Sequence, residues 1–191
     1  MNSVNRNEQG ELLLRIARQA ISRALRVWHE PLKLDGNTDW LYQPGATFVT
    51  LMQYGKLRGC VGSLQACNPL IDDVSNNAVS AALRDSRFSP LTADELDTVN
   101  VEVSLLSRLE PLKFISEENA LTQLRPNVDG VVFEYGAYRS TFLPQVWEIL
   151  PEPALFLAKL KSKAGLPEDF QAEGIKLSRY TVSKWREQKS L

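Results

Sequence analysis

The sequence predicts an α+β fold in which helices pack on antiparallel sheet. Three observations carry the fold class. Residues 11–28 place apolar side chains at helical spacing, and residues 46–64 hold two short β-rich runs around a Tyr-Gly-Lys turn. The helical segments further on are too irregularly placed for serial βαβ units.

In the first segment Leu12, Leu13, Ile16, Ala17, Ala20, Ile21, Ala24 and Leu25 share one side, while Arg15, Arg18 and Arg26 fall toward the other. That is a helix buried on one face. Trp28-His29-Glu30-Pro31 is expected to end it, since a proline pushes the preceding residue out of the helical region. A polar loop through Asp35-Gly36-Asn37 follows. Residues 46–53 and 57–64 then form a hairpin about Tyr54-Gly55-Lys56.

Asn68 is expected to cap a second helix whose first residue is Pro69, with Asp72 and Asp73 in the first turn, where the helix dipole favours negative charge. Ile71, Val74, Ala78, Ala81 and Ala82 give it an apolar stripe. Residues 85–91 are a turn-rich connector, and Thr92 with Glu95 has capping-box spacing. Residues 99–106 read as a strand. Ser116 caps a short helix that stops before Pro126. Residues 131–135 and 138–143 pair about Gly136-Ala137. Residues 153–164 are helical, ended by Gly165 with Pro167 beyond, and residues 175–185 form a last strand. No repeat, low-complexity tract or linker divides the chain, so residues 1–191 read as a single domain with room for two sub-lobes.

Lys and Arg number 22 against 23 Asp and Glu, a formal net charge of −1. Nucleic-acid binding usually shows as a basic surplus gathered on one face, so no nucleic-acid partner is expected. The basic stretch 176–189 is interrupted by Glu187 and reads as a solvated strand face. No stretch is long and apolar enough to span a membrane, and Leu12-Leu13-Leu14 is cut at once by Arg15, unlike a secretory signal. Two cysteines without such a signal imply free thiols in a cytoplasmic, reducing compartment.

The chemistry-bearing stretch is Lys56-Leu57-Arg58-Gly59-Cys60-Val61-Gly62-Ser63-Leu64-Gln65. It reads as a strand that accepts two glycines, although glycine weakens a strand. Strand alternation puts Arg58, Cys60 and Gly62 on one face. Gly62 is then expected to leave an open patch beside the sulfur, and Gly59 to let the backbone bend. A fixed cation such as Arg58 favours the thiolate, the reactive form of cysteine. An inert core thiol is the plainer alternative, because free cysteine is among the most often buried residues.

Leu57-Arg58-Gly59-Cys60-Val61-Gly62 resembles the Leu-Arg-Gly-Cys-Ile-Gly signature of the AMME chromosomal region candidate protein family. Phe48-Val49-Thr50-Leu51 precedes it as the family's Phe-Val-Thr-Leu does. Asp85-Ser86-Arg87-Phe88-Ser89-Pro90-Leu91 is similar to the family's Asp-Pro-Arg-Phe-Pro-Pro-Leu, with serine in place of two prolines. Val103-Ser104-Leu105-Leu106, Leu143-Pro144-Gln145-Val146 and Lys163-Ala164-Gly165-Leu166 follow in the family's order, so the likeness covers roughly residues 46–185. It implies a compact protein of two closely joined lobes, with the cysteine motif at a cleft. It also implies a Memo-like protein and a radical-SAM protein as partners, without naming a reaction.

On these grounds Cys60 and Arg58 are the catalytic candidates. Gly59, Gly62, Asp85, Arg87 and Gln145 are candidates for contact with a small-molecule substrate. Asp85 and Arg87 also read as a helix exit and an ion pair, and Gln145 as a partner for loop backbone groups. No metal site is expected. Cys60, Cys67 and His29 are the only cysteine and histidine side chains, and the cysteines lack zinc-like spacing. No cofactor is expected either, since there is no phosphate-binding glycine loop and no three-cysteine iron–sulfur run. Two functions remain open: an enzyme component acting on a small metabolite at Cys60, and a non-catalytic module that docks partner proteins. The single histidine and the absence of clustered carboxylates lean toward the accessory role.

Overall fold

The computed structural model describes residues 5–34, 36 and 38–188. Asp35 and Asn37 of the predicted polar loop, and Lys189 at the end of the basic stretch, lie outside them. The chain divides into two compact units. One comprises the residues up to Leu106 together with those from Ser183 onward, and the other is Ser107–Val182.

The first unit contains α1 (Arg6–Ala24), β1 (Pro44–Gly45), β2 (Thr47–Gln53), β3 (Lys56–Gly62), β4 (Asn68–Pro69), α2 (Leu70–Leu83) and β5 (Val99–Leu106). α1 begins earlier than the apolar pattern suggests, because the Asn5 side chain accepts the Asn7 N–H and caps it. It also ends earlier. Arg26 takes a left-handed conformation at φ 57°, which breaks the helix before Trp28-His29-Glu30-Pro31 is reached. α2 starts one residue later than expected: Pro69 is the cap residue, and Asn68 pairs with Gly45 instead of capping.

β2 is antiparallel to both β3 and β5, and with β10 (Val182–Arg186) they form a four-stranded sheet in the order β10-β5-β2-β3. Alternation sorts its two faces. Val49 and Leu51 of β2 and Val99, Val101 and Val103 of β5 are fully buried, and they pack with Leu13, Ala17 and Ile21 of α1 and Val74, Ala78 and Ala81 of α2. Thr50 stands on the opposite face, in register with Cys60 on one side and Glu102 on the other. The predicted solvated face near the C-terminus is only partly so: Lys184 and Arg186 both hold the Glu102 carboxylate, which is 2% exposed.

The second unit has its own sheet and core. Its strands are β6 (Glu110–Pro111), β7 (Gly130–Tyr135), β8 (Tyr138–Phe142) and β9 (Lys176–Tyr180), in the order β6-β9-β7-β8, with helices α3 (Glu117–Leu121) and α4 (Pro153–Lys163). Ser116 caps α3 as expected, accepting the Asn119 N–H. Val131, Phe133, Leu157, Leu160 and Leu177 are buried around Trp147, whose ring stacks on Phe156 at 3.7 Å. The single strand predicted for residues 175–185 is in fact β9 and β10, which join different sheets.

Candidate functional site

Cys60 lies on β3, the edge strand of the first unit's sheet, directly opposite Thr50. In an antiparallel ladder both backbone groups of a residue point the same way, either into the partner strand or out from it. Those of Cys60 point out, and two charged side chains take them. Asp85 Oδ2 accepts the Cys60 N–H at 2.8 Å, and an Arg87 terminal nitrogen donates to the Cys60 carbonyl at 3.1 Å. The two clamping residues are bonded to each other as well. Arg87 Nε donates to Asp85 Oδ1 at 2.9 Å, and its terminal nitrogen donates to Oδ2 at 2.7 Å.

This pair stands where a fifth strand would pair. An open edge invites another chain to add on, and here that edge is closed at Cys60. The Asp85 side chain is 6% exposed and that of Arg87 55%. The Arg87 guanidinium, followed by the Cys60 N–H, holds the Asp85 carboxyl well below the usual carboxylate range. Arg87 is held correspondingly above its ordinary value, chiefly by Asp85.

Cys60 as a residue is half-buried. Opposed residues whose backbone groups point away from each other bring their side chains closest, and Thr50 Oγ1 donates to Cys60 Sγ at 3.2 Å.

The strand alternation expected to carry Arg58 to the face of Cys60 is broken at this point. The ladder shifts register between Leu51 and Met52, which pair with Gly59 and Leu57, so Arg58 is the extra residue of a bulge. Its guanidinium donates to the Ser89 carbonyl at 2.9 Å and to Glu95 at 3.2 Å. Glu95 also accepts the Thr92 N–H at 2.9 Å. The Thr92 N–H first, and Arg58 second, bring the Glu95 carboxyl down to about 2. Arg58 thus ties β3 to the 85–91 connector, and Arg87 is the cation bonded to Cys60, at its carbonyl.

The glycines also have a different reason from the predicted one. A Cβ on Gly59 would lie 2.1 Å from the Ala81 carbonyl oxygen, so α2 approaches the strand too closely for any side chain. A Cβ on Gly62 would lie 2.3 Å from the Phe48 ring and 2.6 Å from the Thr47 carbonyl oxygen. The vacant patch expected at Gly62 is filled by that ring.

Gln145 is exposed in the short helical turn Pro144–Glu148 of the second unit. His29 Nδ1 lies 3.4 Å from the Gln19 amide nitrogen and 3.3 Å from the Glu30 carbonyl, in a groove of about 1360 Å³ along α1. Among the described residues no group of three or more His, Cys, Asp or Glu side chains is placed to hold a metal ion, and no helix is long and apolar enough to cross a membrane.

Fold and site together define an α+β protein whose cysteine-bearing edge strand is closed by an aspartate–arginine pair. The chain belongs to the AMMECR1 family, whose profile matches residues 14–185. A protein of Methanothermobacter thermautotrophicus is 41% identical over 165 residues, covering 85% of each chain. Protein MJ0810 of Methanocaldococcus jannaschii is 35% identical over 188 residues, covering 94% of this chain and 90% of its own. The crystal structure of the uncharacterised protein PH0010 from Pyrococcus horikoshii superposes with a TM-score of 0.78 at 33% identity, covering 95% of this chain and 92% of that one.

Proposed function

We propose that this chain is a substrate-holding component of a larger system. Cys60 and Arg87 bind a small anionic metabolite, and partner proteins supply the reaction. One observation carries the reading: Cys60 is fixed through both backbone groups by the Asp85–Arg87 pair, while the residue is only partly buried. A side chain whose backbone is fixed meets a ligand in one orientation, at less entropic cost. A guanidinium carries five N–H donors. The bonds to Asp85 and Cys60 engage Nε and one terminal nitrogen, leaving the other nitrogen for a carboxylate or phosphate.

Acid–base groups are what the site lacks. Asp85 and Glu95 are both held ionised, so neither delivers a proton near neutral pH. His29 stands beside Gln19 and Glu30, in the groove along α1. This supports chemistry that resides on a partner, and the family resemblance names the class: a Memo-like protein and a radical-SAM protein. A second reading, a scaffold that docks those partners without a metabolite, is favoured by the Phe48 ring filling the space at Gly62.

Native mass spectrometry separates the two. The chain purified from its own cells should carry a small-molecule mass that Cys60→Ala loses while remaining folded. A bare chain mass in both proteins, with partner proteins still co-purifying with Cys60→Ala, refutes the metabolite site and favours the scaffold.

A further inference from the structure

Ser63, just past the end of β3, donates its hydroxyl to Asp73 Oδ1 on α2. The other carboxylate oxygen, Oδ2, accepts the Thr47 N–H at 2.7 Å, the Thr47 hydroxyl at 2.7 Å and the Asn77 amide at 3.0 Å. One oxygen is therefore held by three donors, and the other is presented to a hydroxyl. Asp73 is 4% exposed, whereas Ser63 is only half-buried. The Asn77 amide also donates to Ser63 Oγ at 3.2 Å.

Tying α2 to β2 explains the bonds on Oδ2, and that staple is complete without Ser63. What Ser63 adds is a reachable hydroxyl on a base that other groups orient, which is the arrangement that activates a serine nucleophile. The Asn77 amide would stabilise negative charge on Oγ as its proton leaves. The cluster is separate from the Cys60 site. Thr47 shares the helix-covered face with Val49 and Leu51, while Cys60 Sγ lies with Thr50 on the other.

We propose that Ser63 and Asp73 form a catalytic dyad for acyl transfer from small, uncharged, activated esters. Ser63 Oγ bonds to the ester carbonyl carbon as its proton passes to Asp73 Oδ1. The carbon–oxygen bond to the alcohol then breaks, and the alcohol leaves with that proton. Water attacks the acyl-serine, giving one proton to Asp73 Oδ1. The acid departs as Ser63 Oγ recovers that proton, so ester plus water gives acid plus alcohol. The Asp73 carboxylate selects uncharged electrophiles, because an anionic phosphoryl group would be repelled beside it.

The test is peptide mass spectrometry of the whole native chain after treatment with a neutral fluorophosphonate ester. One phosphonyl group on Ser63 is expected, absent in Ser63→Ala and formed on the order of 100-fold faster than in urea-unfolded chain. Asp73→Asn should slow labelling to a similar degree. If that variant does not fold, the native-to-unfolded ratio decides alone. No adduct on Ser63 in the native chain, or equal rates in native and unfolded chain, overturns the proposal.

Discussion

The carboxylate of Asp85 accepts the backbone N–H of Cys60 at 2.8 Å, across 25 residues of chain. That bond joins the exit of α2 to the middle of an edge strand, and Arg87 completes it from the carbonyl side. Removing the carboxylate leaves a strand N–H without its charged acceptor. Asp85→Ala is expected to lower stability to urea by about 2 kcal/mol and to speed hydrogen exchange at the Cys60 amide. Arg87→Ala, which removes a side chain 55% exposed, is expected to cost less than Asp85→Ala. Equal losses in the two variants would contradict the clamp.

Acid should weaken the same region. Asp85 and Glu95 are both held below their ordinary values of 3.8 and 4.5 in the folded chain. A carboxyl depressed by folding contributes its full stabilisation above its ordinary value and loses it as pH falls toward the folded one. For Glu95 that window runs from 4.5 down to about 2. The urea midpoint should therefore fall through this range, and fall less steeply in Glu95→Gln. A midpoint that rises on acidification has the wrong sign.

Gly59 and Gly62 should differ in how they can be rescued. Alanine at 59 meets helix backbone, which cannot yield, and alanine at 62 meets mainly the Phe48 ring. Each substitution is expected to cost about 1–3 kcal/mol or more. Phe48→Leu should recover part of the loss at 62 and none at 59. A double-mutant cycle of thermal stabilities reads the coupling.

Glu102 is the buried member of its ion-pair group; Lys184 is 46% exposed and Arg186 63%. Glu102→Gln frees two cations that can return to water, so its expected cost is about 1–2 kcal/mol. Replacing Lys184 and Arg186 together with methionine strands a buried carboxylate, and the expected cost is about 3–5 kcal/mol. Chemical denaturation of the two variants should rank them in that order.

Elements whose cues are local were legible in the sequence. The Tyr54-Gly55 hairpin, the Thr92–Glu95 capping box and the Ser116 cap depend on neighbours a few residues away, and they form as expected. Long-range demands were not legible. Strand alternation placed Arg58 beside Cys60, but the bulge opposite Leu51 and Met52 sends it to Ser89 and Glu95. The glycines were read as a bend and an open patch beside the sulfur, and the sequence did not say which part of the fold would close on them instead. It proved to be α2 and Phe48. Thr50 was missed because a threonine in a strand is unremarkable until its register with Cys60 is known. Asp73 was read as a helix-dipole residue, although burial against Thr47 and Ser63 is its more specific feature.

The Cys60 site is tested most directly by competitive alkylation. Iodoacetamide labelling of Cys60 and Cys67 is followed in the same native chain, with and without a protein-free small-molecule extract of the cells that make it. Cys67 is exposed and serves as the internal control. A bound metabolite predicts that the extract slows labelling at Cys60 and leaves Cys67 unchanged. Identical Cys60 rates with and without the extract, or a Cys60 that never labels in the folded chain, would contradict it.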